Sequence, residues 1–312
     1  MPIEARGHIP AALPDLSVKV MQEIKEYSVH RAVFPPLNVK KMSDQYFFYN
    51  VEDNFRVAQD YRANATESNG IDPVALTQQV YFMAEHSLHR YVSDRDRENA
   101  DTAIDPEMDA VEEVTSVVAR VKERSCALTI FTTTSFATAN RLILSSNAWA
   151  NDTTTSQIID DIDVAKNQIL LSTGKLPNGM VVGYQTWNNA VKDHADILDR
   201  IKWSERGVVS EDIAAMVLGL DGITIGKGIN RTTEPGISAT TGYIFNAAAL
   251  IYYNDPSPKL RSSNFGVTFQ KADPVIDKIR DDHRKADKIE VSWTYDQRTI
   301  LTNAGYLITA VN

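Results

Sequence analysis

The chain has 312 residues, 43% apolar and 23% charged, with a formal net charge of -9. That length carries one large domain or two smaller ones with an ample core, and the acidic balance excludes a free-standing nucleic-acid-binding module, which needs a basic surface. The single cysteine, Cys126, excludes an internal disulfide, and no apolar run approaches the roughly 20 residues of a membrane-spanning helix.

Taken in chain order, MPIEARGHIPAALPDL lacks a basic region followed by an apolar core, so no export signal is read there. The sequons at Asn64, Asn151 and Asn230 then read as chance matches, and synthesis in a reducing cytosol is expected. Residues 1–37 read as an arm with one helix, Asp15 to Tyr27, striped by Leu16, Val20 and Ile24. Residues 38–92 read as a long two-stranded ribbon. Two aromatic, β-branched stretches flank the polar RANATESNGIDP with its Asn-Gly turn signal. Val80, Phe82 and Leu88 share one parity of its second strand. An isolated hairpin is marginal in water, so this ribbon must lie on its own chain or on a neighbour.

Asp105 then caps a long helix running to about Phe131, with Pro106 at the first helical position and acids crowding the first turns. Val111, Val114, Val118, Val121 and Leu128 recur at helical spacing. About 26 residues at 1.5 Å give about 40 Å, natural for a structural spine. From about residue 152 the texture alternates. SQIIDDIDVAKNQILLSTG is an amphipathic helix with Ile158, Ile162, Ala165 and Ile169 on one face and Gly174 as a left-handed cap. A buried strand at Met180–Gly183, a broken helix after Tyr184, a Ser210-capped helix, and strands in DGITIGKG and AAALIYYN follow. NFGVTFQ, KIEVSWTYDQRTIL and AGYLITAV close the chain as strands.

No reactive constellation emerges. A phosphate-binding loop needs Gly, four residues, then Gly-Lys-Ser/Thr. Before Gly174-Lys175 that spacing lands on Ile169, and Leu176 replaces the hydroxyl residue. Gly222 and Gly226 of GITIGKG have only three residues between them, and Gly228 follows Lys227. Both sites read as a capped helix and strand turns. His86 and His89, beside Glu85, lie three apart on a strand and so point to opposite faces, away from a shared metal. Asp160, Asp161 and Asp163 sit early in a helix, where acids favour the dipole. The GISAT around Ser238 lacks the second glycine of a nucleophile elbow, and Cys126 reads as a small core residue. No catalytic, cofactor-binding or metal residue is assigned, no cofactor is expected, and the chain is not read as an enzyme.

Several stretches together resemble the major capsid protein of tailed bacteriophages, with its Hong Kong 97-type shell fold. The most specific is LPNGMVVGYQTWNNAVKDHADILDRIKW, from Leu176 to Trp203. SSNAWAND ending at Asp152, PSPKLRSSNFGVTF from Pro256 and YDQRTILTNAGYLI from Tyr295 follow in the family's order. Ala195 stands where many relatives carry proline.

The resemblance implies an α+β fold in four parts: an N-terminal arm over 1–37, an extended loop over 38–92, a peripheral domain over 93–153 and 264–312, and an axial domain over 154–263. It implies a virion protein that assembles with itself into hexamers and pentamers of an icosahedral head. That head would enclose double-stranded DNA without sequence-specific binding, and no membrane is involved. A scaffolding protein, a portal and a decoration protein are the implied partners, with synthesis in the host bacterial cytoplasm. The scaffold is expected to be a separate protein, because the arm is short, and Met1 at the start gives no sign of a removed leader. Two alternatives stand beside this: an encapsulin-type nanocompartment with a cargo-binding apolar groove, and a soluble α/β enzyme suggested by residues 154–255.

Overall fold

The computed structural model describes residues 29–49, 55–58, 60–62, 64–100, 105–144, 148–149, 157–201, 209–231, 240–245, 247–256, 262–271 and 274–311. The arm helix expected at Asp15–Tyr27 and the residue Ser238 lie outside them. The first described elements are a short helix α1 (Val29–Val33), strand β1 (Pro36–Asn38) and the ribbon strands β2 (Ser43–Tyr49) and β3 (Leu76–Phe82). Strand β4 (Ala84–Ser93) leads through α2 (Asp94–Glu98) to the spine helix α3 (Pro106–Ile130).

The spine forms for the reasons legible in its sequence. Asp105 accepts hydrogen bonds from the amides of Glu107 and Met108, and Pro106 fills the first helical position. Its buried face differs from the expected valine stripe. Val111, Val114 and Val118 are buried, but Val121 and Leu128 are 46% and 64% exposed. The buried line turns instead through Lys122, Glu123, Cys126, Ala127 and Ile130. Over 25 residues a helical stripe drifts around the axis, and the helix meets two different partners along its length.

The first partner is a five-stranded sheet built on β13 (Ala286–Thr299). One edge of β13 pairs antiparallel with β12 (Val275–Asp281) and then with β11 (Gly266–Gln270), and its other edge pairs with β4. β1 adds parallel to β11. Val111, Val114 and Val118 of the spine pack on Ile276, Ile289, Val291 and Trp293 of this sheet.

The second partner is a sheet ordered β5 (Arg141–Ile143), β14 (Gly305–Thr309), β10 (Ala248–Tyr252), β6 (Gly179–Gly183) and β7 (Gly222–Gly226). It is covered on both faces, so β6 and β10 read as continuous apolar runs. Met180, Val182, Ala249 and Ile251 face helix α4 (Ile158–Thr173) and its neighbours, whereas Val181 and Leu250 face Cys126, Ala127 and Ile130 at the end of the spine. The remaining elements complete this block. They are α5 (Tyr184–Thr186), continued by a π-helical turn over Trp187–Val191, then α6 (Ala195–Ile201), α7 (Glu211–Leu218) and the small ladder of β8 (Ile229–Arg231) with β9 (Thr241–Tyr243).

Three strand placements differ from the sequence expectations. The ribbon pairs only through Phe82, because from Ala84 onward the chain joins β13. At the ribbon's base the subunit covers the other parity from the one shared by Val80, Phe82 and Leu88. Val80 and Phe82 are exposed, while Tyr81 stacks on Phe269 at 4.4 Å and Met83 is fully buried. Finally β14, expected with the returning strands of the first sheet, pairs with β10 and β5 in the second. Each difference comes from long-range pairing, on which local pattern is silent.

Candidate interaction surfaces

The short segment before the ribbon is held by groups distant in the sequence. A five-residue helix has almost no stability of its own. The fully buried carboxylate of Glu123, on the spine, accepts the amides of Val29 and His30, each at 3.0 Å, and the His30 ring Nδ1–H at 2.7 Å. It therefore caps the start of α1 from another element. The end of α1 is held by Asn254, whose Nδ2 donates to the carbonyls of Ala32 and Val33. Asn254 also exchanges hydrogen bonds with Asn178. Its amide donates to Asn178 Oδ1 at 3.0 Å, and Asn178 Nδ2 donates to its carbonyl at 2.6 Å. The backbone carbonyl of Asn178 accepts the amide of Asp221 at 3.0 Å, just before β7. The Pro-Asn-Gly stretch that follows Gly174-Lys175 is thus a structural junction joining α1, β6, β7 and β10.

Gly174 itself is the left-handed cap of α4, with φ 68°, and a Cβ there would lie 2.7 Å from the Phe55 ring. The other look-alike is a strand end. A Cβ on Gly226 would lie 2.3 Å from the Phe245 ring, and Lys227 pairs with Glu211 at 3.2 Å. His86 stacks on Tyr295 and His89 packs edge-on against Tyr91, so the structure does not bring them together. Asp161 accepts the indole N–H of Trp149 at 2.8 Å, Asp163 pairs with Lys166, and burial raises the Asp161 carboxyl above its usual range. Cys126 is buried, which pushes its thiol well up and away from thiolate chemistry. Among the described residues no three His, Cys, Asp or Glu side chains converge as a metal site.

What the molecule presents instead is surface. Phe47, Phe55, Tyr61, Ile71, Val80 and Phe82 put large apolar groups on the outside of the ribbon region. Exposed apolar area concentrated on one projection marks an interaction site. At the ribbon's base an apolar groove of about 280 Å³ runs between Pro36, Leu37, Phe47, Val267, Phe269 and Ile300. A second groove, about 260 Å³, lies between β4 and the spine along Leu88, Val118 and Val121. Among the described strands β4 pairs only with β13, so no described strand pairs with its outer edge.

Two charged groups on the spine, Lys122 and Glu123, were missed by sequence reasoning because the letters give a charge on a helix no buried address. Lys122 is 2% exposed, with its Nζ 3.4 Å from the centroid of the Trp293 ring and 4.8 Å from that of Tyr295. Spacing alone hints at them, since both fall one helical turn after the buried Val118 and Ala119.

A spine helix bridging two sheets, with a projecting ribbon at one edge, is the Hong Kong 97-like shell fold of phage capsids and encapsulins. The chain is 25% identical over 289 residues to the major capsid protein of Burkholderia phage BcepMu, covering 91% of each. It is 24% identical over 253 residues to the major capsid protein of Pseudomonas phage JBD67, covering 80% of this chain and 79% of that protein. No family model matches the chain. Among solved structures, a phage-related protein from Bordetella bronchiseptica RB50 aligns with a TM-score of 0.74 at 20% identity over 99% of both chains. The capsid of cyanophage P-SCSP1u aligns at 0.61 and 12% identity, over 90% of this chain and 87% of that one. An encapsulin complex from Synechococcus elongatus PCC 7942 aligns at 0.57 and 9% identity, over 93% and 89%. The resemblance read from the sequence is borne out, and the fold class with it.

Proposed function

We propose that this chain is a major capsid protein, a structural and non-enzymatic subunit whose copies close into the head of a tailed phage around double-stranded DNA. The observation that carries the reading is the similarity to the BcepMu capsid protein, 25% identical but spanning 91% of both chains, on a fold shared with phage capsids. In this reading the subunits form hexamers and pentamers, and the place of the protein is the virion. Scaffolding, portal and decoration proteins are its partners, and synthesis takes place in the host cytoplasm. The proposed division is an arm before β1, an extended loop containing β2 and β3, a peripheral domain around the spine and β13, and an axial domain around β6 and β10. The separate apolar clusters on the two sheets support it, with β14 contributing to the axial sheet from the end of the chain.

The net charge of -9 suits a wall that confines DNA by repulsion rather than gripping it. Many weak contacts between copies add by avidity, so no single interface has to be strong. The test is light scattering and negative-stain imaging of the purified protein over a range of concentrations, with a scaffolding protein supplied. Closed shells are expected, and a compact monomer under every condition would refute the reading. An encapsulin-type role is favoured by one observation, the apolar groove at the ribbon's base. Shells purified from their source that hold an enzyme cargo and no DNA would decide for it.

A further inference from the structure

The dipeptide Asn-Gly occurs twice in the chain, at Asn69–Gly70 in the ribbon tip and at Asn178–Gly179 before β6. This pair is prone to a reaction of its own. The glycine amide nitrogen, once it loses its proton, attacks the side-chain carbonyl carbon of the asparagine. A new C–N bond closes a five-membered succinimide, the bond to the side-chain nitrogen breaks, and ammonia leaves. Water then opens the ring at either carbonyl, giving aspartate or isoaspartate. One water enters, one ammonia departs and no electrons are transferred. Glycine favours the closure because no Cβ hinders the approach or the backbone rotation.

The fold treats the two pairs oppositely. At Asn178 both ends of the side-chain amide are held by Asn254. Oδ1 accepts its amide at 3.0 Å, and Nδ2 donates to its carbonyl at 2.6 Å. The backbone amide of Asn178 donates to the Tyr252 carbonyl at 3.1 Å, and its carbonyl accepts the amides of Asp221 and Gly222 at 3.0 and 3.3 Å. Gly179 is buried in β6, paired with Tyr252 on one side and Gly222 on the other. A Cβ on it would lie 2.5 Å from the Tyr252 ring, so that ring covers it. Ring closure at Asn178 would break the Asn254 pair and the sheet together. In the ribbon tip the same pair is exposed, on irregular backbone between the turn at Asn64–Ala65 and β3. A Cβ on Gly70 would meet no atom within 4 Å.

We propose that Asn69 is a site of spontaneous deamidation, a covalent modification that the fold permits in the ribbon tip and blocks at Asn178. Each event replaces a neutral amide with a carboxylate, in a tip that already carries Glu67 and Asp72. The isoaspartate product also routes the main chain through the former side chain and lengthens it by one methylene. Neither residue of the pair lies in a helix or strand, so the subunit keeps its fold while the tip changes charge and course.

The experiment holds the folded wild-type chain in mildly alkaline buffer below its melting temperature. Mass spectrometry follows the two Asn-Gly peptides over time, with fragmentation that separates isoaspartate from aspartate. Conversion at Asn69 is expected to outpace that at Asn178 by about tenfold or more, because Asn178 reacts only when the sheet opens. Isoaspartate and aspartate should both appear at Asn69. In urea the two rates should converge, since the fold and not the dipeptide separates them. Gly70→Ala is free of strain, because Gly70 is outside the left-handed region and has open space around it. It should slow conversion at Asn69 by about tenfold and leave Asn178 as it was. Equal rates at the two sites in the folded chain would overturn the proposal. So would an Asn69 that stays intact in the folded chain while the unfolded chain converts.

Discussion

Glu123 is the residue on which most of the arm's attachment converges. Three donors from α1 end on its carboxylate. Glu123→Ala should therefore cost about 3 kcal/mol or more, because it strands buried donors as well as removing an interaction. Urea unfolding of the free subunit measures this. His30 adds a pH dependence with a definite sign. Burial depresses its folded pKa below the ordinary imidazole value of 6.5, so the folded state binds fewer protons than the unfolded one. Its contribution to stability is full above 6.5 and is lost as the pH falls through the lowered folded value. His30→Gln should flatten the acid side of the stability profile below the ordinary imidazole range. Gly174 is a residue of the same weight for a different reason. Gly174→Ala puts a side chain at φ 68° and a Cβ against Phe55, and a loss of about 1–2 kcal/mol is expected. Lys175→Ala should leave stability unchanged and remove no nucleotide binding, as isothermal titration with ATP would show.

At the scale of an element, the spine helix tests how a periodic pattern becomes a buried face. Asp105→Ala removes a side-chain cap seen to accept two amides, and should cost about 1 kcal/mol. Ile130 and Leu128 lie in the same last turn and look equally apolar in sequence, yet Ile130 is fully buried and Leu128 is 64% exposed. Ile130→Ala should cost about 2–5 kcal/mol of subunit stability. Leu128→Ala should stay within about 0.5 kcal/mol. Thermal or urea unfolding of the two variants side by side separates the face that folds the subunit from the face left for other contacts. Equal losses would mean that Leu128 is covered within the subunit.

For the whole molecule, the ribbon is the part whose burial is incomplete in a single copy. Tyr46, Tyr81 and Met83 anchor its base on Phe269, but its outer apolar groups have no cover among the described residues. Removing Ala65 to Gly70 from the polar tip should spare folding and weaken assembly, because such a tip adds little to the core. Hydrogen exchange is expected to show slow amides in the spine in both the free subunit and the shell. The outer ribbon strands should be fast in the subunit and slow in the shell. Strong protection of the whole ribbon in the free subunit would remove its role as a clasp between copies.

The sequence alone determined the elements whose causes are local. The Asp105–Pro106 start of the spine, the stripe and glycine cap of α4, the Ser210 cap and the apolar runs of β6 and β10 all follow from spacing, capping and propensity over a few residues. It also carried the family resemblance, in which LPNGMVVGYQTW is the most specific stretch, and there Asn178 ties several elements together. Only the tertiary structure decided which face of each element is covered. Tyr81 rather than Val80 is buried because Phe269 stands opposite it, nearly 190 residues along the chain. Lys122 and Glu123 are core residues because α1 and Trp293 satisfy them. β14 sits beside β10 because strand pairing is set by register and burial over long separations. Local letters specify how a segment is able to fold, and the partner it meets fixes which of its atoms leave water.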